Sequence, residues 1–273
     1  MLSHGPSADV ARQIQGSAIL RQIDDRVPRP PLALATLQEQ LSAQVFPQVF
    51  VGMEPRLPTL TDPDPNALDT PGVRVAASAT VRIEAPGCGG IQLGSGFAIG
   101  PDRILTNAHV VSGTRSVSIV VHGMPQPIAA RVIAIDPARD VAIILAPGIG
   151  LDPLLPGNGQ RSQHVAIIGY PGGGPREVGA AVLNGHMLAR GRDIYQERAV
   201  TRDIWVIEGH ARPGNSGGPL VDAEGRYLGV VFAESISSPD QAYALSAAKV
   251  APVIAQSEGR TDAIDTRAYP CTS

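Results

Sequence analysis

Ser216 lies among glycines in the run Arg212-Pro213-Gly214-Asn215-Ser216-Gly217-Gly218-Pro219-Leu220. A serine on a tight Gly-rich turn exposes its Oγ and leaves room for a carbonyl beside it. The backbone N–H groups of Gly214 and Ser216, with Gly217 behind them, are candidates to stabilise an oxyanion forming on that carbonyl. An ordinary Gly-rich turn has the same composition, so the segment needs partners before it can do chemistry. The first requirement is a base, because a serine hydroxyl is a weak nucleophile until its proton is taken. His109 fits: it follows Ile104-Leu105-Thr106-Asn107-Ala108, where a strand ends in a short turn, and precedes Val110-Val111. Asp140, in Asp136-Pro137-Ala138-Arg139-Asp140-Val141-Ala142, stands just before an apolar strand. A carboxylate there can accept the imidazole Nδ1–H, fixing the tautomer and stabilising the imidazolium. Asp136 competes for that role, but its place before a proline suits a turn better.

The order His109, Asp140, Ser216 is itself informative, with gaps of 31 and 76 positions. Gly214-Asn215-Ser216-Gly217-Gly218 also fits the G-x-S-x-G elbow of α/β-hydrolases, but that fold places its histidine after the serine. All six histidines here precede Ser216. The esterase alternative therefore fails. Gly94-Ser95-Gly96-Phe97-Ala98-Ile99-Gly100 is one residue too long for a dinucleotide fingerprint and opens no helix; it suits a strand-edge turn. H-E-x-x-H, a P-loop lysine and C-x-x-C are all missing, so no metal or cofactor is expected.

The elements that must hold these residues read as all-β. From Val73 to Ile83 apolar and polar positions alternate, as in a half-buried strand. Further strands are expected at Val117–Val121, Ile128–Ile135, Val141–Leu145, Val165–Gly169, Val178–Leu183, Ile204–Ile207, Tyr227–Phe232 and Ala242–Leu245. Gly/Pro turns separate them, and none alternates with a long helix. Ser246 can cap a closing helix with Val250, Val253 and Ile254 on one side. Upstream, residues 8–24 and 32–45 carry helical spacing, and Pro55 to Pro71 predicts a stiff extended linker. The simplest architecture is two successive antiparallel barrels with a C-terminal helix, after an N-terminal helical and Pro-rich extension.

Composition narrows the partners. The 273 residues include 30 glycines and 25 prolines, a fifth of the chain, which suits loop-rich β structure. With 22 basic and 25 acidic residues the net charge is −3, and a nucleic-acid or anionic-membrane binder would show a basic surplus. No run of 18 apolar residues exists to span a membrane, and the first residues lack a secretory signal pattern. Cys88 and Cys271, too few for a zinc cluster, are either two idle thiols or one long-range disulfide.

Taken together, T-N-A-H at 106–109, D-x-x-x-D-V-A at 136–142 and G-N-S-G-G at 214–218 resemble the trypsin-like serine proteases, specifically the HtrA/Deg-type branch. The resemblance covers roughly residues 72 to 256. It implies two antiparallel six-stranded barrels, about 72–158 and 163–256, a tail at 257–273, and 1–71 as a linker. It also implies peptide-bond hydrolysis on protein or peptide substrates, with His109, Asp140 and Ser216 as the triad. His210 and the strand Val231-Phe232-Ala233 are expected to line the substrate pocket, whose apolar wall suggests an uncharged side chain at the cleaved position. Pancreatic-type relatives carry Asp immediately before the serine, to pair with a cleaved N-terminus. Asn215 stands there, so that activation is not expected. No PDZ domain follows in this sequence.

The leader, the triad order and the cysteine placement are also similar to a family of membrane-anchored mycobacterial acid-resistance proteases. That resemblance implies a Cys88–Cys271 disulfide, an extracytoplasmic location on the periplasmic or cell-wall side, and a role under acid or oxidative stress. It would allow membrane contact only through an upstream anchor that this sequence does not contain. Oligomeric state is not set by any motif.

Overall fold

The computed structural model describes residues 49, 50, 54, 57, 58, 60, 62–238 and 240–272. The helices expected at 8–24 and 32–45 lie outside the described residues. Two six-stranded antiparallel sheets follow one another, each closed on itself. The first comprises β1 (Thr80–Gly87), β2 (Gly90–Gly100), β3 (Arg103–Thr106), β4 (Val117–Val120), β5 (Ile128–Asp136) and β6 (Val141–Leu145), in the order β1-β2-β3-β6-β5-β4. It closes where β1 meets β4, with Ile83 opposite Ile119. The second comprises β7 (His164–Gly169), β8 (Glu177–Arg192), β9 (Ala199–Glu208), β10 (Pro219–Val221), β11 (Tyr227–Glu234) and β12 (Gln241–Ser246). Its order is β10-β11-β12-β9-β8-β7, closed by Ile167 of β7 opposite Leu220 of β10. Closure removes the unpaired strand edges that would otherwise invite aggregation.

The inward residues are small and branched. Val81, Ile83 and Ala85 of β1 are buried at every second position, and all five residues of β6 are buried. Pleat alternation thus builds the first core, while β6 is covered on both faces. Helix α3 (Ala247–Ser257) starts where expected: Ser246 Oγ accepts the Lys249 N–H at 3.1 Å, and Val250 and Val253 are buried. It packs against β5 and β6 of one barrel and β11 and β12 of the other.

Two expectations are corrected. Val73–Ile83 is not one strand: Pro71–Ser78 is a helix, α1, and the strand begins at Thr80. Thr70 Oγ1 accepts the Val73 N–H at 3.1 Å, Pro71 occupies the first turn, and Val73, Ala76 and Ala77 are buried at helical spacing. Val75, which a strand would turn inward with Val73, is 54% exposed. The stretch from Pro55 to Pro71, expected as a stiff extended linker, makes lateral contacts where it is described, as does the chain just before it. Val49 is buried with the core, Phe50 stands edge-on to Tyr243 (5.4 Å), and Asn184 Nδ2 donates to the Pro58 carbonyl (2.9 Å). Among the described residues, 49–60 lie along the second barrel.

Candidate active site

Helix α2 (Ala108–Val111) is a single turn following β3, and it carries His109. One buried carboxylate fixes that histidine twice. Asp140 Oδ2 lies 2.8 Å from His109 Nδ1, and Oδ1 accepts the His109 backbone N–H at 3.0 Å. With Nδ1–H facing the carboxylate, Nε2 is left as the basic nitrogen. Asp140 pays for its position with backbone strain: φ is +59° in a non-glycine residue. Its carbonyl is held by Asn107 Nδ2 at 2.9 Å, so the turn before the histidine also secures the turn before β6. Burial alone would push the Asp140 carboxyl up. The His109 charge and hydrogen bonds, with Arg202 beyond, outweigh burial and hold it below the ordinary carboxylate range. Asp136 instead folds onto its own turn, accepting from Arg139 N–H (2.9 Å) and Arg139 Nη1 (2.6 Å).

Ser216 sits on the elbow before β10, almost fully buried. The elbow is tied down by neighbours of the serine. Gly217 N–H donates to Val231 O (2.8 Å), Val231 N–H to Gly218 O (2.9 Å), and Asn215 N–H to Arg212 O (2.9 Å). Among the described residues the N–H groups of Gly214 and Ser216 donate to no protein acceptor. The Pro213 carbonyl accepts from Gly172 N–H at 2.7 Å. In a trans peptide the N–H points opposite the C=O, so the Gly214 N–H is turned away from Gly172. Both donors are thus left unspent among the described residues, as donors to a developing oxyanion would be. Among the described residues no hydrogen bond joins Ser216 Oγ to His109; apo sites often tighten this contact only with substrate bound.

The seam between elbow and histidine depends on Ser95, which sequence reasoning passed over as part of a strand-edge turn. Ser95 N–H donates to Ser216 O (2.8 Å), its Oγ to Gly214 O (2.7 Å), and its carbonyl accepts from Thr106 Oγ1 (2.7 Å). Gly94 beside it has to be glycine: a Cβ there would stand 2.7 Å from Val110 and 3.2 Å from Ser216 O. The Gly-Ser-Gly spacing was the available signal, and it reports close approach of two barrels rather than a ligand loop.

The expected pocket residues divide. Val231 spends its backbone N–H and C=O on the elbow, and the side chains of Val231, Phe232 and Ala233 are fully buried. Only a backbone role toward substrate is open to that strand. His210 is 72% exposed on its side chain, with Nε2 3.3 Å from Asp240, at a cavity walled by Glu208 and Gln241 and by Leu57 and Pro63 of the leader. Arg202 was also missed. It is 1% exposed, its guanidinium 5.9 Å from the Phe232 ring centre, and Nη1 donates to Arg192 O at 2.7 Å. Burial pulls its pKa down, and Asp140, Asp193 and Asp136 push back. Cys88 and Cys271 form a disulfide, with Cα atoms 5.6 Å apart.

Two closed six-stranded barrels with His109, Asp140 and the Ser216 elbow at their junction define the class: the chain belongs to the trypsin-like peptidase domain family, whose model matches residues 94–230. Among curated proteins it is similar to serine protease Rv3671c of Mycobacterium tuberculosis, 34% identical over 273 aligned positions. That alignment covers 95% of this chain and 66% of the relative, so the chain spans just under two thirds of the relative's length. A DegP-like periplasmic serine endoprotease of Chlamydia pneumoniae is 36% identical over 145 residues, covering 50% of this chain and 28% of that protein. The crystal structure of the active form of the M. tuberculosis Rv3671c protease superposes with a TM-score of 0.74 at 34% identity, covering 82% of this chain and all of that one. Its inactive form gives 0.65 over 74% of this chain.

Proposed function

We propose that this chain is a serine endopeptidase in which Ser216 is the nucleophile, His109 the general base and then acid, and Asp140 the orienting carboxylate. The observation that carries the reading is the double grip of Asp140 on His109, ring and backbone, which leaves Nε2 basic beside the serine elbow. Ser216 Oγ bonds to the scissile carbonyl carbon while its proton passes to His109 Nε2. The Gly214 and Ser216 N–H groups receive the oxyanion. Collapse breaks the C–N bond, and the amine leaves with the proton from Nε2. Water then repeats the sequence, giving up its proton to His109, and the acid product departs as Ser216 is restored. Substrate backbone would lie along the Phe232–Ala233 end of β11. His210 would add a side-chain contact to that substrate.

An extracytoplasmic location is supported by the disulfide, which persists in oxidising compartments, and by the periplasmic description of the DegP-like relatives. A role in tolerating acid or oxidative stress, with a tether upstream of this sequence, follows the resemblance to mycobacterial acid-resistance proteases. The competing function is a protease fold that grips peptides without cutting them.

A fluorophosphonate probe separates the two. In the enzyme, Ser216 Oγ displaces fluoride from phosphorus, and the adduct adds its mass to the Ser216 peptide. Ser216→Ala should take no label, cleave no peptide and melt near the parent. An unlabelled, inactive parent would make the chain a gripping module.

A further inference from the structure

The catalytic reading gives no part to one well-bonded carboxylate. Glu54, in the leader, reaches into the loop between β11 and β12. Ser235 Oγ (3.0 Å), Ser237 N–H (3.0 Å) and Ser237 Oγ (2.7 Å) donate to its Oε2, and Tyr243 Oη donates to Oε1 at 2.5 Å. Burial pushes this carboxyl up, but the Tyr243, Ser237 and Ser235 donors outweigh it and hold Glu54 below the ordinary range. It is therefore an ionised acceptor, and bonds to a charged acceptor are about twice as strong as neutral ones. Among the described residues no cation shares the contact, and its partners are loop or strand hydroxyls and one backbone amide.

The segment that carries Glu54 is seated, not merely adjacent. Leu60 N–H donates to both oxygens of Glu208 (2.7 and 3.0 Å), and Asn184 Nδ2 bridges Glu208 to the Pro58 carbonyl. Leu57 lies on Gly185, where a Cβ would come within 2.9 Å of Leu57 Cδ1. Backbone and side chain of the leader thus both find dedicated partners on β8, β9 and β12.

What Glu54 holds matters. Ser235 directly follows β11, and its Oγ also accepts the Ser237 and Ser238 N–H groups (3.2 and 2.9 Å), so the carboxylate organises the whole start of the loop. β11 is irregular there: Val231 faces Ala244, but Ala233 faces Tyr243, leaving Phe232 in a bulge. Tyr243 thus supports Ala233 across the ladder while its hydroxyl is spent on Glu54.

We propose that Glu54 is a positioning residue for substrate binding: planted in the β11–β12 loop, it holds the Phe232–Ala233 end of β11 in the shape that accepts an extended peptide, making an upstream segment part of the substrate wall. The proposal rests on the serine-endopeptidase reading above. A loop deprived of this anchor must be ordered by the substrate itself, and that cost falls on binding rather than on the chemical step.

The test uses the full chain with a peptide substrate spanning several residues before the cleaved bond, and the fluorophosphonate probe in parallel. Glu54→Ala should raise KM about tenfold, the equivalent of losing about one charge-assisted hydrogen bond, with kcat within about twofold. Its labelling rate should stay near the parent's, because the probe does not use the strand. Glu54→Gln, keeping one acceptor oxygen, should recover part of the loss. Ser237→Ala, an exposed change that leaves the core alone, should raise KM less, and combined with Glu54→Ala should add almost nothing. A parent that neither labels nor cleaves would overturn the endopeptidase reading and this proposal with it. A parent that labels, with KM unmoved in Glu54→Ala, overturns this proposal alone. If Glu54→Ala fails to fold, unchanged KM in Glu54→Gln and Ser237→Ala does the same. Parallel loss of kcat and labelling would mean a structural brace, not a positioning residue, and also overturns it.

Discussion

Asp140 shows how one side chain can settle position, tautomer and pH response at once. Its two oxygens hold the His109 ring and the His109 backbone, and its strained φ is tolerated because Asn107 grips its carbonyl. Asp136, four residues earlier, has spent both oxygens on Arg139. Asp140→Asn should lower kcat by roughly 10⁴-fold, since an amide can present its N–H to Nδ1 and favour the wrong tautomer. Asp136→Asn should stay within a few-fold, and peptide kinetics on both variants decide between the two carboxylates. The sign of the pH effect on stability follows from the same contacts. A carboxyl held lower in the folded chain than in the unfolded one stabilises fully above the ordinary carboxylate value and loses that contribution as pH falls through the depressed folded value. The parent's melting temperature should therefore drop below about pH 4, where free carboxyls protonate, more steeply than that of Asp140→Asn. Parallel melting curves for the two proteins over that range would refute the assignment of the low carboxyl to Asp140.

At the scale of elements, the strands that bury both faces were the easiest to see in the sequence. Val141–Leu145 is found with its expected bounds, because a continuous apolar run before a Pro-Gly turn has few other solutions. The α3 start was equally legible from Ser246. What alternation missed is where a local cap overrides it: Thr70-Pro71 nucleates α1 although Val73, Val75 and Ala77 alternate like a strand. The long β8–β9 hairpin was underestimated for a related reason. Its outer half, through Arg192 and from Ala199, is polar on the surface, and the buried Arg202 looks like a surface residue in sequence. At the candidate site, residue types and order pointed to His109, Asp140 and Ser216, but the Ser95 seam left only the Gly-Ser-Gly spacing as a signal, because its hydroxyl and amide bond mostly to backbone groups far along the chain. That seam can be tested at Gly217. Its φ of +85° disfavours any side chain, and a Cβ would lie 2.1 Å from Ser95 O and 2.3 Å from Thr106 Oγ1. Gly217→Ala should cost more than about 2 kcal/mol in urea unfolding, with activity lost alongside. Gly89→Ala serves as the control: φ is +81°, but nothing lies within 4 Å, so only the backbone term of about 1–2 kcal/mol remains.

Across the whole molecule, the tail after α3 turns back over the first barrel and ends beside the histidine helix. Ile264 N–H donates to Val132 O (2.8 Å), Gly113 N–H to Thr266 O (3.0 Å), and Thr266 Oγ1 to Thr114 O (2.7 Å). Ser112, which ends α2, donates from Oγ to Pro270 O at 2.9 Å and meets Tyr195 Oη at 2.7 Å. Cys271 follows Pro270, and Gly113 leaves room for the bridge: a Cβ there would lie 2.6 Å from Cys88 Sγ and 3.0 Å from Cys271 Sγ. The disulfide therefore closes a path from the tail to the turn that carries His109. Linking residues 183 positions apart is worth up to about 5 kcal/mol in the chain-entropy model. The measured value should fall nearer 2–4 kcal/mol, because the tail keeps its own hydrogen bonds and the unfolded chain keeps residual structure. Cys271→Ser, or the reduced parent, should melt lower and cleave peptides several-fold more slowly, since a loosened Pro270 frees Ser112 at the end of α2. Thiol alkylation with and without reductant, read by intact mass, establishes whether the bond is present in the sample compared. A Cys271→Ser chain that melts and cleaves like the oxidised parent would leave the bridge with no hold on the active conformation. A chain that melts lower but cleaves normally would confine its effect to the tail and remove the coupling through Ser112.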